Sequence, residues 1–248
     1  MQDVRQIAVP LTSVLKSPGA DSPQTSQALM GELCEVREEA DGYALVRLRR
    51  DGYVGYVESA SLTREMVETT HRVSVPSTLI YPKPDLKSHP VRFLTMNAEV
   101  SVIGTEENFA GLATGGFVFA AHLGAKTAFE TDFVAVARQF LHAPYYWGGK
   151  SVHGLDCSGL VQTALQSCGL AAPRDSGDQE KALGVLVNDH AHLRRGDLVF
   201  WKGHVGIMED ATLLLHANGH FMKTVSEPLA DAMARTKTPV TAIKRLGL

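Results

Sequence analysis

Two stretches in the first half of the chain follow one plan, and this internal repeat limits the fold more than any other feature. Up to about residue 63, Val36 to Glu38 leads into an Asp41-Gly42 turn and Tyr43 to Leu48 alternates in polarity. Asp51-Gly52 turns again, and Tyr53 to Val57 follows. Asp-Gly between alternating runs is a strong hairpin signal, because both residues tolerate the positive φ of a tight hairpin turn. Residues 71 to about 123 repeat the pattern. Val9-Pro10 is answered by Val75-Pro76, Gly31-Glu32 by Ala98-Glu99, Tyr43-Ala44 by Phe109-Ala110, and Gly52-Tyr53-Val54 by Gly116-Phe117-Val118. The expected organisation is a divergent tandem pair of small all-β units, each about 55–60 residues long, at 1–63 and 70–124. Such repeats usually bind or position.

A third segment, 130–248, changes character. Thr131 is the expected N-cap of a helix in which Phe133, Val134, Ala137, Phe140 and Leu141 recur at helical spacing, and Pro144 ends it. A glycine-rich loop, Tyr145 to Gly154, leads to a second apolar helix from about Cys157 to Cys168, stopped by Gly169. After a polar stretch come expected strands at Leu198–Trp201, Val205–Met208 and Thr212–Ala217. A helix near Glu227–Ala234 and a strand at Val240–Leu246 close the chain. Helices first and antiparallel strands afterwards indicate an α+β domain.

With 248 residues, 44% of them hydrophobic, the chain can bury a core and divide into domains. A net charge of −3 provides no basic field for a phosphate backbone, so nucleic acid is not an expected partner. No apolar run approaches the roughly 20 residues of a membrane helix, so no membrane is expected either. The opening MQDVRQIAVPLTSVLKSP has no basic stretch followed by a continuous apolar one. A cytoplasmic location is expected, with the periplasm or cell exterior as the alternative if a signal has been trimmed. Three cysteines, Cys34, Cys157 and Cys168, form no disulfide framework, which suits a reducing compartment. The Cys157–Cys168 spacing matches no zinc signature, and no metal or cofactor is expected.

Leu155-Asp156-Cys157-Ser158-Gly159 sets a thiol at the start of a helix. Free N–H groups and the helix dipole there favour a thiolate, so a lowered thiol pKa is expected. Cys34, in a strand pattern, and Cys168, at a helix end, read as structural. His204 opens a strand after the Lys202-Gly203 turn, and His216 lies on the next strand, with the Glu209-Asp210 turn between. Both rings can point to one face, His216 holding the His204 ring in the useful tautomer: nucleophile, base and orienter. From spacing alone, the alternative of histidines satisfied within a core stays open. A metal held by Cys157, His204 and His216 is a weaker alternative, since no usual ligand spacing supports it.

Six stretches resemble, in order and spacing, the motifs of the NlpC family of cell-wall cysteine peptidases. They are Pro144-Tyr145-Tyr146-Trp147-Gly148-Gly149, Asp156-Cys157-Ser158-Gly159-Leu160-Val161, Arg174-Asp175-Ser176, Gly196-Asp197-Leu198-Val199-Phe200, Gly203-His204-Val205-Gly206-Ile207 and His216-Ala217. The paired β units resemble the bacterial SH3-like domains of many members. The resemblance implies an α+β papain-like catalytic domain preceded by two small all-β SH3-like barrels. It implies a peptidoglycan-derived peptide as substrate, cut between γ-D-glutamate and a diamino acid such as meso-diaminopimelate. Carried over by position, Cys157 is the nucleophile, His204 the base, His216 the third polar residue and Tyr145 an oxyanion donor. Asp156, Ser158 and Ser176 match substrate-contacting residues. An acidic residue and a tyrosine of the first β unit are also implied, with Glu32 and Tyr53 as candidates and Tyr56 in reserve. A free N-terminal L-alanine on the substrate and a monomeric enzyme complete the expectation.

Three other readings compete: a hydrolase of intact peptidoglycan, an acyltransferase or amidase on the same scaffold, and a non-catalytic wall-binding protein. The intact set of Cys157, His204 and His216 argues against the last, because a binding protein has no use for it.

Overall fold

The computed structural model describes residues 3–188 and 192–247. Met1, Gln2 and Leu248, at the ends of the segments expected at 1–63 and 130–248, lie outside the described residues, as do residues 189–191. The chain forms two compact units, Met1–Phe129 and Glu130–Leu248.

The first unit is built from short strands. A seven-stranded sheet runs in the order Gln24–Leu29, Leu11–Leu15, Val54–Glu58, Tyr43–Leu48, Leu33–Ala40, Asp3–Ile7, Leu62–Thr63. Asp41 and Gly42, at φ 52° and 81°, make the turn that their sequence asks for. Ile7, Val14, Ala28, Cys34, Val46, Leu48 and Val57 form the core of this part.

The strands between His71 and Ala125 repeat its hydrogen bonds. Ile7 N–H donates to Glu32 O, Met30 N–H to Pro10 O and Gly31 N–H to Ile7 O. Their counterparts are Val73 N–H to Ala98 O, Met96 N–H to Pro76 O and Asn97 N–H to Val73 O. This corrects the register read from sequence: Glu32 corresponds to Ala98, not Glu99. Leu15 pairs with Tyr56 as Tyr81 bridges to Phe117, so Phe117 stands for Tyr56, not Tyr53. The loop before this strand is shorter in the second copy, which shifts the alignment. The copies are not separate bodies. Leu29 and Met30 of the first copy belong to the core cluster of the second, with Val73, Ile80, Leu94, Val100, Leu112 and Val118.

In the second unit, α1 (Phe133–Arg138) is capped by Asp132, whose carboxylate accepts from Val134 N and Ala135 N. The cap lies one residue after Thr131, and the helix ends before Leu141. Helix α2 (Cys157–Ser167) is buried along its whole length and ends at Gly169, where φ is +74°. Helix α3 (Ser176–Ala182) occupies part of the polar stretch, for which the sequence suggested no element. A six-stranded sheet, antiparallel at every described pair, runs Val185–Leu186, Val240–Arg245, Leu198–Trp201, His204–Met208, Leu213–Asn218, Lys223–Pro228. Glu227, expected in a helix, is in this last strand, and α4 (Leu229–Arg235) begins only after Pro228. Helix α2 packs against the strands that carry His204 and His216. Leu229 and Ala232 of α4 cluster with Val199, Trp201, Met208 and Leu214 of the sheet.

Candidate active site

Side chains on a pleated strand alternate in direction, so His204, Gly206 and Met208 share one face. Leu214 pairs with Met208 in the ladder, which puts His216, two residues on, on that face as well. Glu227 pairs with Leu214 across the next ladder and joins them. His204, His216 and Glu227 therefore step diagonally across three adjacent strands. Gly206 lies between the histidine positions, where a Cβ would meet Leu214 and His216 Cβ. Any side chain there would crowd Leu214 first and then the stem of His216.

The rings are bonded in a row. His204 Nε2 lies 2.8 Å from His216 Nδ1, and His216 Nε2 lies 2.8 Å from Glu227 Oε1. Arg235 Nη1 donates to Glu227 Oε2 at 2.8 Å, and Nη2 donates to Oε1. Asn218 Nδ2 is 3.0 Å from His216 Nε2, and its Oδ1 accepts from Phe221 N. Trp201 flanks His204, ring centroids 5.7 Å apart.

Asp156 caps α2 by accepting from Gly159 N at 2.7 Å, which presents Cys157 at the first turn. Its other oxygen accepts from Gly148 N at 2.8 Å and from Arg174 Nη2 at 2.7 Å. Arg174 Nη1 donates to Asp156 Oδ1 at 2.9 Å and to Ser158 Oγ at 3.0 Å. Both members of this ion pair are buried. Asp156 and Ser158, expected on the substrate, are thus tied first to the buried Arg174. Sequence reasoning gave that arginine no role.

The N–H groups of Val205 and Ser158 bond to the Cys157 sulfur, which brings the thiol to the start of the His204 strand. Burial, then the Asp156 charge, push the thiol up to about 12, against those N–H groups and Arg174. The expected lowering by the helix start is outweighed by desolvation. Burial, the neighbouring His216 and Arg235 push His204 down to about 3. Burial also lowers His216, with the Glu227 bond opposing. The resting site therefore holds a neutral thiol and two neutral imidazoles. Against that burial, the Asp156 and Glu227 charges favour a proton on His204. Tyr145 is half-buried, and burial followed by the Cys157 and Asp156 charges raises its hydroxyl to about 12, keeping it a donor. Ser176 is half-buried at the start of α3.

The first-unit candidates sit differently. Glu32 is only 3% exposed, its carboxylate 3.1 Å from Arg50. Arg50 also bonds Asn97 O and Glu99, so Glu32 is held where the two copies meet and is not an open wall residue. Tyr53 is half-buried against the core of the first copy, and Tyr56 is half-buried opposite Leu15. Among the described residues, no group of three or more His, Cys, Asp and Glu is placed to hold a metal ion, and no helix is long and apolar enough to cross a membrane.

The neutral histidines make stability depend on pH. Unfolded, each takes up a proton below its ordinary value of about 6.5. Folded, both titrate lower, so their contribution is complete above pH 6.5 and shrinks as pH falls towards the His204 value of about 3. Each should contribute a slope of up to about 1.4 kcal/mol per pH unit. Trp147 and Trp201, the two tryptophans of the chain, both lie in the second unit, so their fluorescence during urea unfolding isolates it. Stability should fall from pH 6.5 to 5, above the ordinary carboxylate range. A flat profile there would exclude buried neutral rings.

A model of the NlpC/P60 family matches residues 142–239, and a model of the bacterial dipeptidyl-peptidase SH3 domain matches residues 14–62. The chain is 30% identical to the γ-D-glutamyl-L-lysine dipeptidyl-peptidase of Bacillus subtilis over 229 residues, 79% of this chain and 73% of the relative. The enzyme of that name from Bacillus cereus is 28% identical over 205 residues, 73% of this chain and 61% of the relative. The crystal structure of an NlpC/P60 family protein from B. cereus superposes with a TM-score of 0.82 over 98% of this chain and 99% of the other, at 21% identity, a likeness of fold.

Proposed function

The chain belongs to the NlpC/P60 family of peptidases, and from that premise we propose that it is a cysteine peptidase cutting the bond between γ-D-glutamate and diaminopimelate in peptidoglycan-derived peptides with a free N-terminal L-alanine. The observation that carries this reading is the buried Cys157 at the start of α2, served by the row His204, His216, Glu227. Cys157 Sγ attacks the γ-glutamyl carbonyl as its proton passes to His204. The oxyanion takes hydrogen bonds from Cys157 N–H and the Tyr145 hydroxyl, each such donor contributing about 3–4 kcal/mol. Protonated His204 gives its proton to the leaving amine, and water then hydrolyses the thioester, freeing Cys157. Asp156 and Ser158 act on the substrate from within the Arg174 clamp, and Ser176 from the start of α3. We read residues 70–124 as a second SH3-like module and the enzyme as a monomer that recycles wall peptides in the cytoplasm.

Mass spectrometry of products from defined peptides tests the reading. L-Ala-γ-D-Glu-diaminopimelate should yield L-Ala-γ-D-Glu and free diaminopimelate, and its N-acetylated form should react about 10–100-fold more slowly, the scale of one lost charge-assisted contact. The lysine analogue belongs in the comparison, since both Bacillus relatives are named for that residue. Equal rates on free and acetylated forms, or efficient digestion of purified sacculi, would refute the free-amine preference. Glu32→Gln asks whether the first unit contributes. Its carboxylate already faces Arg50, so an amine would have to compete with the guanidinium. Unchanged selectivity in that variant would assign the contact to another acidic residue.

A further inference from the structure

We infer that Glu227, held by Arg235, is a positioning residue that selects the tautomer of His216 and, through it, leaves His204 with its lone pair on Nδ1, free to take the Cys157 proton. The inference rests on Cys157 and His204 being nucleophile and base.

Two groups contend for His216 Nε2. Glu227 Oε1 lies 2.8 Å away and can only accept, while Asn218 Nδ2 lies 3.0 Å away and can only donate. The Asn218 amide cannot turn to accept without giving up the Phe221 N–H that its oxygen holds. A neutral imidazole has one N–H, so the two demands are exclusive. Glu227 asks for a proton on Nε2. That leaves Nδ1 of His216 bare to accept from His204 Nε2–H at 2.8 Å, and the remaining His204 nitrogen is then an unprotonated base. Asn218 asks for the reverse, which would run the protons the other way along the row and put one on His204 Nδ1, blocking it.

Charge decides between them. Burial alone would raise the Glu227 carboxyl, but the bonds from Arg235 and His216 hold it below its ordinary value, so it is ionised. A hydrogen bond to a carboxylate outweighs one from a neutral amide. The other charged or titratable groups bearing on the two rings are Arg235 of α4 and Asp156 before α2, and neither contests His216 Nε2. When His204 takes the proton of Cys157, the same row stabilises it: His216 accepts from the imidazolium, and Glu227 makes His216 a better acceptor. Arg235 prevents Glu227 from turning away.

An acid that orients a catalytic histidine directly is worth about 10⁴ in kcat. Here a ring stands between; groups that orient a metal-bound histidine from the far side of its ring are worth about 10–100-fold, and the same scale is expected here. Glu227→Gln, which keeps shape and loses charge, should slow Cys157 about 10-fold, and Glu227→Ala, which leaves Asn218 unopposed, about 100-fold. The primary readout is alkylation of Cys157 by iodoacetamide at pH 7.5, followed by peptide mass spectrometry, because it needs no substrate. Imidazole ¹⁵N shifts of the full chain should show Nε2–H on both rings in the native protein and Nδ1–H on both in Glu227→Ala. The double variant Glu227→Ala/Asn218→Ala should recover part of the alkylation rate, which a merely structural Glu227 would not allow. On the peptide of the proposed function, kcat should fall with KM within about twofold. Unchanged tautomers and alkylation in Glu227→Gln and Glu227→Ala would overturn the inference, as would a double variant no faster than Glu227→Ala. Normal alkylation by the native protein with no peptide turnover would count against the proposed function alone.

Discussion

Cys157→Ala should lower kcat by about 10⁶, the scale on which an enzyme loses a nucleophile that acts as one unit with its base. The variant should fold normally. The side chain removed is small, and the features that set up the site stay in place: the Asp156 cap, the Arg174 clamp and the histidine row. The control is built into the chain. Burial pushes the Cys34 thiol up to about 11, and Cys34 sits at 0% exposure in the core of the first unit. Cys168 closes the far end of α2. Neither has a helix start behind it or a histidine row beside it, so Cys34→Ala and Cys168→Ala should keep near-normal kcat. Steady-state kinetics on the three purified variants decides the matter. If Cys34→Ala or Cys168→Ala is as inactive as Cys157→Ala, the nucleophile has been misassigned.

Arg174→Met should have the largest effect on stability. The Asp156 carboxylate serves several purposes: it caps α2, holds Gly148 N–H and meets Arg174 through two parallel bonds. Methionine leaves that carboxylate buried without a counter-ion, which costs about 3–5 kcal/mol. The cap should shift towards solvent and take Cys157 with it. A displacement of about 1 Å costs on the order of 10²-fold in rate, so turnover should fall even at temperatures where the variant is folded. Asp156→Asn in the same background removes the orphaned charge and still caps the helix, so the double variant should regain at least about half of the lost stability. Urea unfolding followed by tryptophan fluorescence measures both. A single variant within about 1 kcal/mol of the unaltered protein would show that the ion pair is not what holds the cap.

The places of Cys157, His204 and His216 were legible because local rules govern them. A cysteine after an aspartate, before small residues and an apolar run, can be recognised as a helix start. Two histidines separated by a turn suggest neighbouring antiparallel strands. The stretch around Glu227 is misleading because Leu229, Ala230, Ala232, Met233 and Ala234 are strong helix formers, and the helical pattern continues back over Glu227. Pro228 held the missed signal: a residue before proline is driven to an extended conformation, and Glu227 is extended. Arg174 could not be found this way. It meets Asp156 eighteen residues earlier in the chain, across α2 and a following loop whose path no periodicity encodes. The thiol pKa departs from expectation for a different reason. The helix start was visible, but the burial that outweighs it depends on the whole packed unit.

The shared core of the first unit makes the two β copies mutually dependent. Leu29 and Met30 lie among the apolar side chains of the later copy, and Arg50 reaches across to Asn97 and Glu99. Cutting the chain between residues 63 and 70 would leave either fragment with an uncovered apolar surface. The unit is therefore open to exchange only as a whole: a graft, a circular permutation or a shuffled domain boundary would have to carry all of Met1–Phe129. Through this seam two similar stretches have become a single inheritable part.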